Sequence, residues 1–416
     1  MSSLWRDADF LKLWAGQTIS LAGSMVGGFA LPLVAVLTLG ASPLQLGLLR
    51  TADILPAIAV GLFAGVWIDR LPRRPIMLWV DLGRALLLAT IPAAALLGQL
   101  RIEQLYVVAV LVGVLTLLFE VARRSYLPTL VSREALVEAN ARISAANSVV
   151  EVAGFGLAGA LVQLLTAPVA ILVDAVSFLA SAFSLLLIGR PEPAPTPAEA
   201  RAGAWAEVRA GIGVVASQPI LRALALAECS QQLFVHMWVA MLLLFLTRDL
   251  RFEPILFGPL FAIGGVSSLL GALAVERLVG RFGLGPTIVA TWAVSTASLL
   301  LPPLAGGPLV LAAALVGAGQ LFDAAGTIGE ISRESLVQAT TPDRWLGRVN
   351  ASLQLVRWGA MLAGSLLGGL LGQTIGVRET MFVGALGALP SVLWLLFSPI
   401  PRVRSSRVSS GEPAAA

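Results

Sequence analysis

A chain of 416 residues that is 57% hydrophobic, with a mean hydropathy of +0.88, carries more apolar surface than a single water-soluble core of this size hides. Only 12% of residues are charged, the formal net charge is +4 and Lys12 is the sole lysine; no basic run with interleaved aromatics exists, which argues against a nucleic-acid partner. A single cysteine, Cys229, and a single histidine, His236, exclude an internal disulfide and leave little for a metal centre or a Ser-His or Cys-His catalytic arrangement, so no cofactor is expected.

A helix needs about 20 mostly apolar residues to cross about 30 Å of hydrocarbon. Splitting the apolar runs at Pro, Gly and charge clusters predicts twelve spans, near 10–38, 43–68, 76–98, 104–125, 139–165, 168–188, 220–246, 255–275, 286–304, 309–332, 345–372 and 379–398. The N-terminus, with Trp5, Arg6, Asp7 and Asp9, does not read as a cleavable signal peptide. The expected architecture is an all-α polytopic membrane protein of two six-helix bundles, 1–188 and 220–400. Between them lies a linker, 189–219, and after them a disordered tail, 401–416. The linker opens with Pro191, Pro193, Pro195 and Pro197, which favour extended backbone. It continues as an amphipathic helix with Trp205, Val208, Ile212 and Val215 on one face, expected to lie on the inner leaflet.

Arginine placement predicts the orientation. With the N-terminus inside, the inner loops hold Arg70, Arg73, Arg74, Arg123, Arg124, Arg277, Arg281 and many more. The outer loops hold four, Arg101, Arg248, Arg251 and Arg378. Both termini are therefore expected in the cytoplasm.

The most charged interruption is Gly65-Val-Trp-Ile-Asp69-Arg70-Leu-Pro72-Arg73-Arg74, between the second and third spans. Topology alone accounts for its arginines but not for Asp69. Its pattern Asp69-Arg70-x-x-x-Arg74 recurs as Glu276-Arg277-x-x-x-Arg281, 207 residues later, and Glu120-x-x-Arg123 recurs as Glu330-x-x-Arg333 at an offset of 210. Two charge patterns at nearly one offset imply two similar bundles in the same orientation.

Charges inside spans are costly and mark cavities or partners. Asp53 falls near the middle of the second span, by a rise of about 1.5 Å per residue. Glu151, Glu228 and Asp323 lie in the fifth, seventh and tenth. These four are candidate proton carriers. For each the alternative is an internal ion pair, such as Arg50 with Asp53 or Glu151 with Arg357. Asp81, Arg84, Glu120 and Glu330 lie near the inner face, where they would brace loop arginines, and Asp174 is expected to be structural. Polar and aromatic candidates for a substrate cavity are Gln17, Ser24, Arg50, Gln231, His236, Trp238, Gln320 and Phe322, each with packing as its alternative.

Twelve spans in two parallel halves, a long inner linker and the charged second loop resemble the major facilitator superfamily. Its loop pattern Gly-x-x-x-Asp-Arg/Lys-x-Gly-x-Arg/Lys-Arg/Lys is met by Gly65, Asp69, Arg70, Arg73 and Arg74, with Pro72 in place of the second glycine and the spacing one residue shorter. Asp81-x-x-Arg84, Arg123-Arg124-Ser125-x-Leu127-Pro128, Asp174-Ala-x-Ser-Phe178 and Trp205-x-x-Val208-x-x-Gly211 look like its bacterial branch of enterobactin exporters and macrolide-efflux proteins. The Gly-Pro-x-x-Gly-Gly pattern of many of its antiporters is only partly met, by Gly154-Phe-Gly156-Leu-Ala-Gly159. The resemblance implies a cytoplasmic (inner) membrane transporter working by alternating access, monomeric, with a small-molecule substrate and protons as coupling ion. Export of an amphipathic or hydrophobic compound is the first expectation. An uptake permease or lipid transporter is the alternative, and an integral membrane enzyme a remote one, since Asp53 and Asp174 have no supporting motif. The resemblance also makes Gly65–Arg74 a latch between the halves on the cytoplasmic side, with the start of the eleventh span near Trp345–Arg348 receiving Asp69 and with Glu120 as an arginine partner.

Overall fold

A computed structural model describes residues 4–68, 71–132, 135–192 and 204–404, without side chains at 62–68, 151–153, 155 and 204–207. Among these all the regular secondary structure is helical. Eleven helices are long and apolar enough to cross a membrane. The twelfth long helix is α5, Leu136–Leu165, whose 30 residues span about 45 Å. Two compact units result: 1–201 with 253–262, and 202–252 with 263–416.

Unit 1 contains α1 (Ala8–Leu33), α2 (Pro43–Ile68), α3 (Arg73–Leu96), α4 (Ile102–Leu130), α5 and α6 (Ala167–Leu186). Asp7 starts α1 by accepting the free N–H groups of Asp9 and Phe10 at 3.1 and 3.2 Å. Helix α1 packs on α6 and α5, α3 on α6 and α4, and α2 on α4. The base is tied by charges near the helix ends. The Asp9 carboxylate accepts from the backbone N–H groups of Gly189 and Arg190 at 3.1 and 3.0 Å. The Glu192 carboxylate accepts from those of Arg73 and Arg74 at 2.7 and 3.0 Å.

Unit 2 begins with α7 (Ala204–Ser217) and α8 (Pro219–Leu244). After the start of α9 (Pro254–Phe282) come α10 (Leu284–Ser298), α11 (Leu301–Leu304), α12 (Leu309–Leu321) and α13 (Asp323–Thr340). It closes with α14 (Asp343–Thr374), α15 (Val377–Ala388) and α16 (Ser391–Leu396). A close seam joins α8 to α14. A Cβ on Gly364 or Gly368 would collide with the backbone of Leu233 or Met237, so both pairs, each four residues apart, set the approach.

The linker helix α7 buries Val208, Gly211 and Val215 and leaves Ile212 46% exposed. It packs on α14, where the Ser352 hydroxyl donates to the Val208 carbonyl at 3.1 Å. The buried face thus turns from the expected Ile212 toward Gly211, because a side chain at 211 would meet the backbone of Arg348. Residues 401–404, expected in a disordered tail, are docked: Gly285 donates to the Val403 carbonyl at 2.8 Å and Arg404 to that of Phe282 at 3.2 Å.

The duplication extends into the backbone. Helix α1 continues as a π-helical turn, Val34–Thr38, and α8 as Phe245–Asp249, both 211 residues apart. The chain leaves both turns through a left-handed residue, Gly40 at φ +63° and Arg251 at φ +55°. Buried positions repeat as well. Leu13, Val26 and Leu33 match Leu224, Met237 and Leu244 at 211. Phe119, Ala122 and Tyr126 match Gly329, Ser332 and Leu336 at 210, and Ala139, Ile143 and Val150 match Val349, Leu353 and Ala360 at 210.

Three expected single spans are broken. Pro302–Pro303 and Pro390 account for the interruptions before α11 and α16. The break at Phe322 has no proline. There the Ser267 hydroxyl on α9 donates to the Leu321 carbonyl at 2.5 Å and accepts from Ala324 N–H at 3.0 Å, satisfying the freed backbone.

Candidate functional site

The densest ionic cluster lies in unit 2, where α8, α13 and α14 meet. Glu228 on α8 is 2% exposed and forms ion pairs with Arg357 on α14 and with Arg333 on α13, the latter at 3.7 Å. Glu330, on α13, binds Arg333 at 2.7 Å and Arg357 at 3.1 Å. Two carboxylates and two guanidiniums thus form a closed, charge-neutral group. Each arginine bridges both carboxylates, which offsets the desolvation of placing four charges between helices. Among the described residues one oxygen of Glu228 and the Nε of Arg357 have no hydrogen-bond partner.

Unit 1 is built differently at the corresponding place. Glu120 on α4 is held by Arg123 through two contacts, at 2.6 and 3.3 Å, and approached by Arg124 at 4.0 Å. Arg84 on α3 is 3% exposed and paired with Asp81, one turn earlier. Its guanidinium is stacked between Phe119 at 4.5 Å and Phe178 at 4.0 Å and donates to Thr116 Oγ1 at 3.4 Å. Asp174 on α6 accepts from Ser24 at 3.1 Å. Between α1, α3, α4 and α5 remains a cavity of about 150 Å³ whose lining mixes polar residues, among them Gln17, Ser24, Arg84 and Glu120, with the apolar Leu21, Phe119 and Ile143.

Several expected partnerships are replaced by others. Arg50 and Asp53 share a face of α2, with Asp53 exposed, yet form no ion pair within 4 Å. Arg357, considered as a partner for Glu151, pairs inside unit 2 with Glu228 and Glu330. Glu120, expected to receive loop arginines, binds the arginines of its own helix. The Arg73 guanidinium pairs with Glu192 at 3.6 Å instead, and that of Arg74 donates to the Leu185 and Leu186 carbonyls at 2.9 and 3.1 Å. Glu192 was hidden from sequence reasoning because it sits in a proline-rich stretch with no periodicity.

The second-half motif ends α9: Glu276 and Arg277 are exposed, and Arg281 lies 5.4 Å from the Phe282 ring centroid. Gly65 belongs to the last turns of α2, while Asp69 and Arg70 of the charged loop, and the side chain of Glu151, lie outside the described residues. Trp238, expected on a cavity wall, is 5% exposed and donates its indole N–H to the Leu299 carbonyl at 3.0 Å, so packing in unit 2 accounts for it. Gln231 donates to Thr296 Oγ1 at 3.1 Å, and the Nδ1 of His236 lies 3.1 Å from the Gln232 carbonyl oxygen. Phe322 marks the break between α12 and α13. Gln320 and Asp323 flank it and face Gly264 of α9.

Apolar spanning helices, a duplicated six-helix unit and buried charge clusters define a polytopic membrane protein of the transporter type. The chain belongs to the major facilitator superfamily: the family's model matches residues 13–359. It is 28% identical to the multidrug efflux pump Tap of Mycolicibacterium fortuitum over 99% of this chain and 100% of that protein. It is 27% identical to the uncharacterized MFS-type transporter YfiS of Bacillus subtilis (strain 168) over 97% of each. Among solved structures, a bacterial homologue of the iron transporter ferroportin in an inward-facing state superposes with a TM-score of 0.78, at 20% identity over 95% of this chain and 99% of that one. The nucleoside transporter NupG (D323A mutant) gives 0.73 at 12% identity, over 93% and 99%. At these identities the structural likeness is one of fold.

Proposed function

We propose that this protein is a proton-coupled secondary exporter of an amphipathic or hydrophobic small molecule, residing in a bacterial cytoplasmic membrane with both termini inside. The observation that carries the reading is the end-to-end likeness to a multidrug efflux pump. The ionisable groups inside the spans fit the coupling part of it, since charge at that depth is costly unless it serves a cavity, a partner or a moving ion. Asp53 is the favoured proton carrier, because it stands on α2 with no ion-pair partner within 4 Å among the described residues, whereas Glu228 is enclosed by two arginines. In this reading a carboxylate that takes up and releases a proton alternates with substrate in two access states, and no nucleotide is consumed.

The test is efflux of a fluorescent dye from proteoliposomes containing the purified protein, with a pH gradient imposed across the bilayer. Gradient-driven flux that a protonophore abolishes supports the reading. Dye movement of equal rate with and without the gradient overturns the coupling. Dye accumulation in whole cells that falls on expression, and rises again with protonophore, supports the direction.

A further inference from the structure

The two units join their first and last spanning helices differently. Buried positions of α6 repeat in α15 and α16 at an offset of 210: Ala175 with Ala385, Phe178 with Ala388, Ser181 with Ser391 and Leu185 with Leu395. Those of α1 repeat in α8 at 211. In unit 1 the two helix ends are tied. The Lys12 ammonium on α1 donates to the Leu187 carbonyl at 2.6 Å, and Asp9, one turn earlier, receives the N–H groups of Gly189 and Arg190. In unit 2 the positions of Lys12 and Leu187 hold Ala223 and Phe397, and the methyl group of an alanine makes no such bond. Helix α6 also runs unbroken, whereas its counterpart is interrupted at Pro390.

What remains between α8 and α16 is a cleft of about 500 Å³, within the range of about 300–1,000 Å³ typical of small-ligand sites. Ala223 and Phe397 both line it, with Leu226, Leu393 and Trp394. Trp394 is 47% and Phe397 88% exposed, and in a chain that crosses a bilayer such an apolar face meets lipid. The one charged residue in the described lining is Arg222, in the first turn of α8. Its side chain is exposed, reaches the Ala216 carbonyl only at 3.5 Å and has no carboxylate within 4 Å among the described residues. The stretches that wall the cleft, 218–227 and 389–404, contain no Asp or Glu but hold Arg222, Arg402 and Arg404. The fixed charge there is of one sign and calls for an anion. A cation at the end of a spanning helix, above an apolar groove, matches one amphipath in particular, a phospholipid with an anionic head group. The bilayer supplies such molecules at the level of the helix end, with no entry path needed.

We propose that this cleft is a binding site for an anionic phospholipid, whose head group pairs with Arg222 and whose acyl chain lies along Ala223, Leu226, Leu393 and Trp394. The leaflet is the one at the turn between α7 and α8, the cytoplasmic one in the orientation proposed above. The lipid takes in unit 2 the place of the tie between Lys12 and Leu187, bridging two helix ends that the chain itself leaves apart. Nothing in this site depends on what the protein exports.

Trp394 reports on occupancy. The full-length protein is placed in phosphatidylcholine nanodiscs that contain a small fraction of lipid with brominated acyl chains, which quench tryptophan on contact. The brominated lipid is either phosphatidylglycerol or phosphatidylcholine. Subtracting the Trp394→Phe variant isolates the Trp394 signal from that of the other tryptophans. Phosphatidylglycerol should quench Trp394 with about fivefold higher apparent affinity than phosphatidylcholine, which corresponds to about 1 kcal/mol for one basic residue at a membrane surface. Arg222→Gln should erase that preference. Should the variant fail to fold, as read by its melting curve, Arg222→Met keeps the apolar stem, removes only the charge and should erase it as well. Equal quenching by the two lipids in the parent, or an unaltered preference in a folded Arg222 variant, overturns the proposal. So does a Trp394 signal that neither lipid quenches, which would show that another occupant, such as the chain's own tail, covers the cleft.

Discussion

Arg357→Gln is the sharpest probe of the unit-2 charge cluster. The substitution removes the guanidinium that contacts both Glu228 and Glu330, the latter at 3.1 Å. Glu330 keeps Arg333 at 2.7 Å, but Glu228, at 2% exposure, keeps only a 3.7 Å approach to the same arginine. Stripping one partner from a buried ion pair costs about 3–5 kcal/mol, because the remaining charge stays buried. For a unit of about 200 residues, each kcal/mol moves Tm by roughly 2–4 °C. The variant should therefore melt at least about 6 °C below the parent. The double variant Glu228→Gln/Arg357→Gln removes the stranded carboxylate and should melt above the Arg357→Gln single variant, with a coupling of about 0.5–3 kcal/mol for groups in one network. Tryptophan fluorescence on heating in a fixed detergent reads all four corners of the cycle. A single variant within about 2 °C of the parent, or a double variant below it, would refute the claim that the cluster is a closed structural unit.

Three further outcomes follow from the same geometry. Gly364→Leu drives a side chain into the Leu233 backbone, and overpacking of about 1–3 kcal/mol or more should show as loss of monodisperse protein on size exclusion. Glu192→Ala leaves the first two N–H groups of α3 without their acceptor, a capping loss of about 0.5–2 kcal/mol, and should speed proteolysis of the linker before it lowers Tm. Asp53→Asn should insert and melt like the parent yet lose most proton-driven dye efflux; retention of the parental rate in proteoliposomes would assign Asp53 a structural role.

Where helices begin was legible because proline, glycine and charge clusters mark spans directly. Helix ends were less legible. Helix α9 runs on to Phe282 and α13 to Thr340, beyond the expected 275 and 332, since charged residues end the apolar run without ending the helix. The break at Phe322 had no local signal: its cause is Ser267, 55 residues earlier, supplying the hydroxyl. Ion pairs within a helix turn, such as Glu120 with Arg123, could be read from spacing. The pairing of Arg357 with Glu228 could not, because it depends on how closely α14 approaches α8, and Gly364 and Gly368 decide that in three dimensions.

The duplication explains why one half is more informative than two taken separately. Where both copies keep a feature, folding accounts for it: the π-helical turn persists although its left-handed exit residue is Gly40 in one copy and Arg251 in the other. A non-glycine residue in that conformation costs about 1 kcal/mol or more, so the surrounding turn determines it, not the residue. Where the copies diverge, folding is a poor explanation, since the partner copy demonstrates a stable alternative. Gln17 and Asn147 are such positions. Unit 2 places Glu228 and Arg357 there and neutralises them with Arg333 and Glu330, whereas unit 1 pairs Arg84 with Asp81 and Arg123 with Glu120, so two different charge arrangements serve one helix packing.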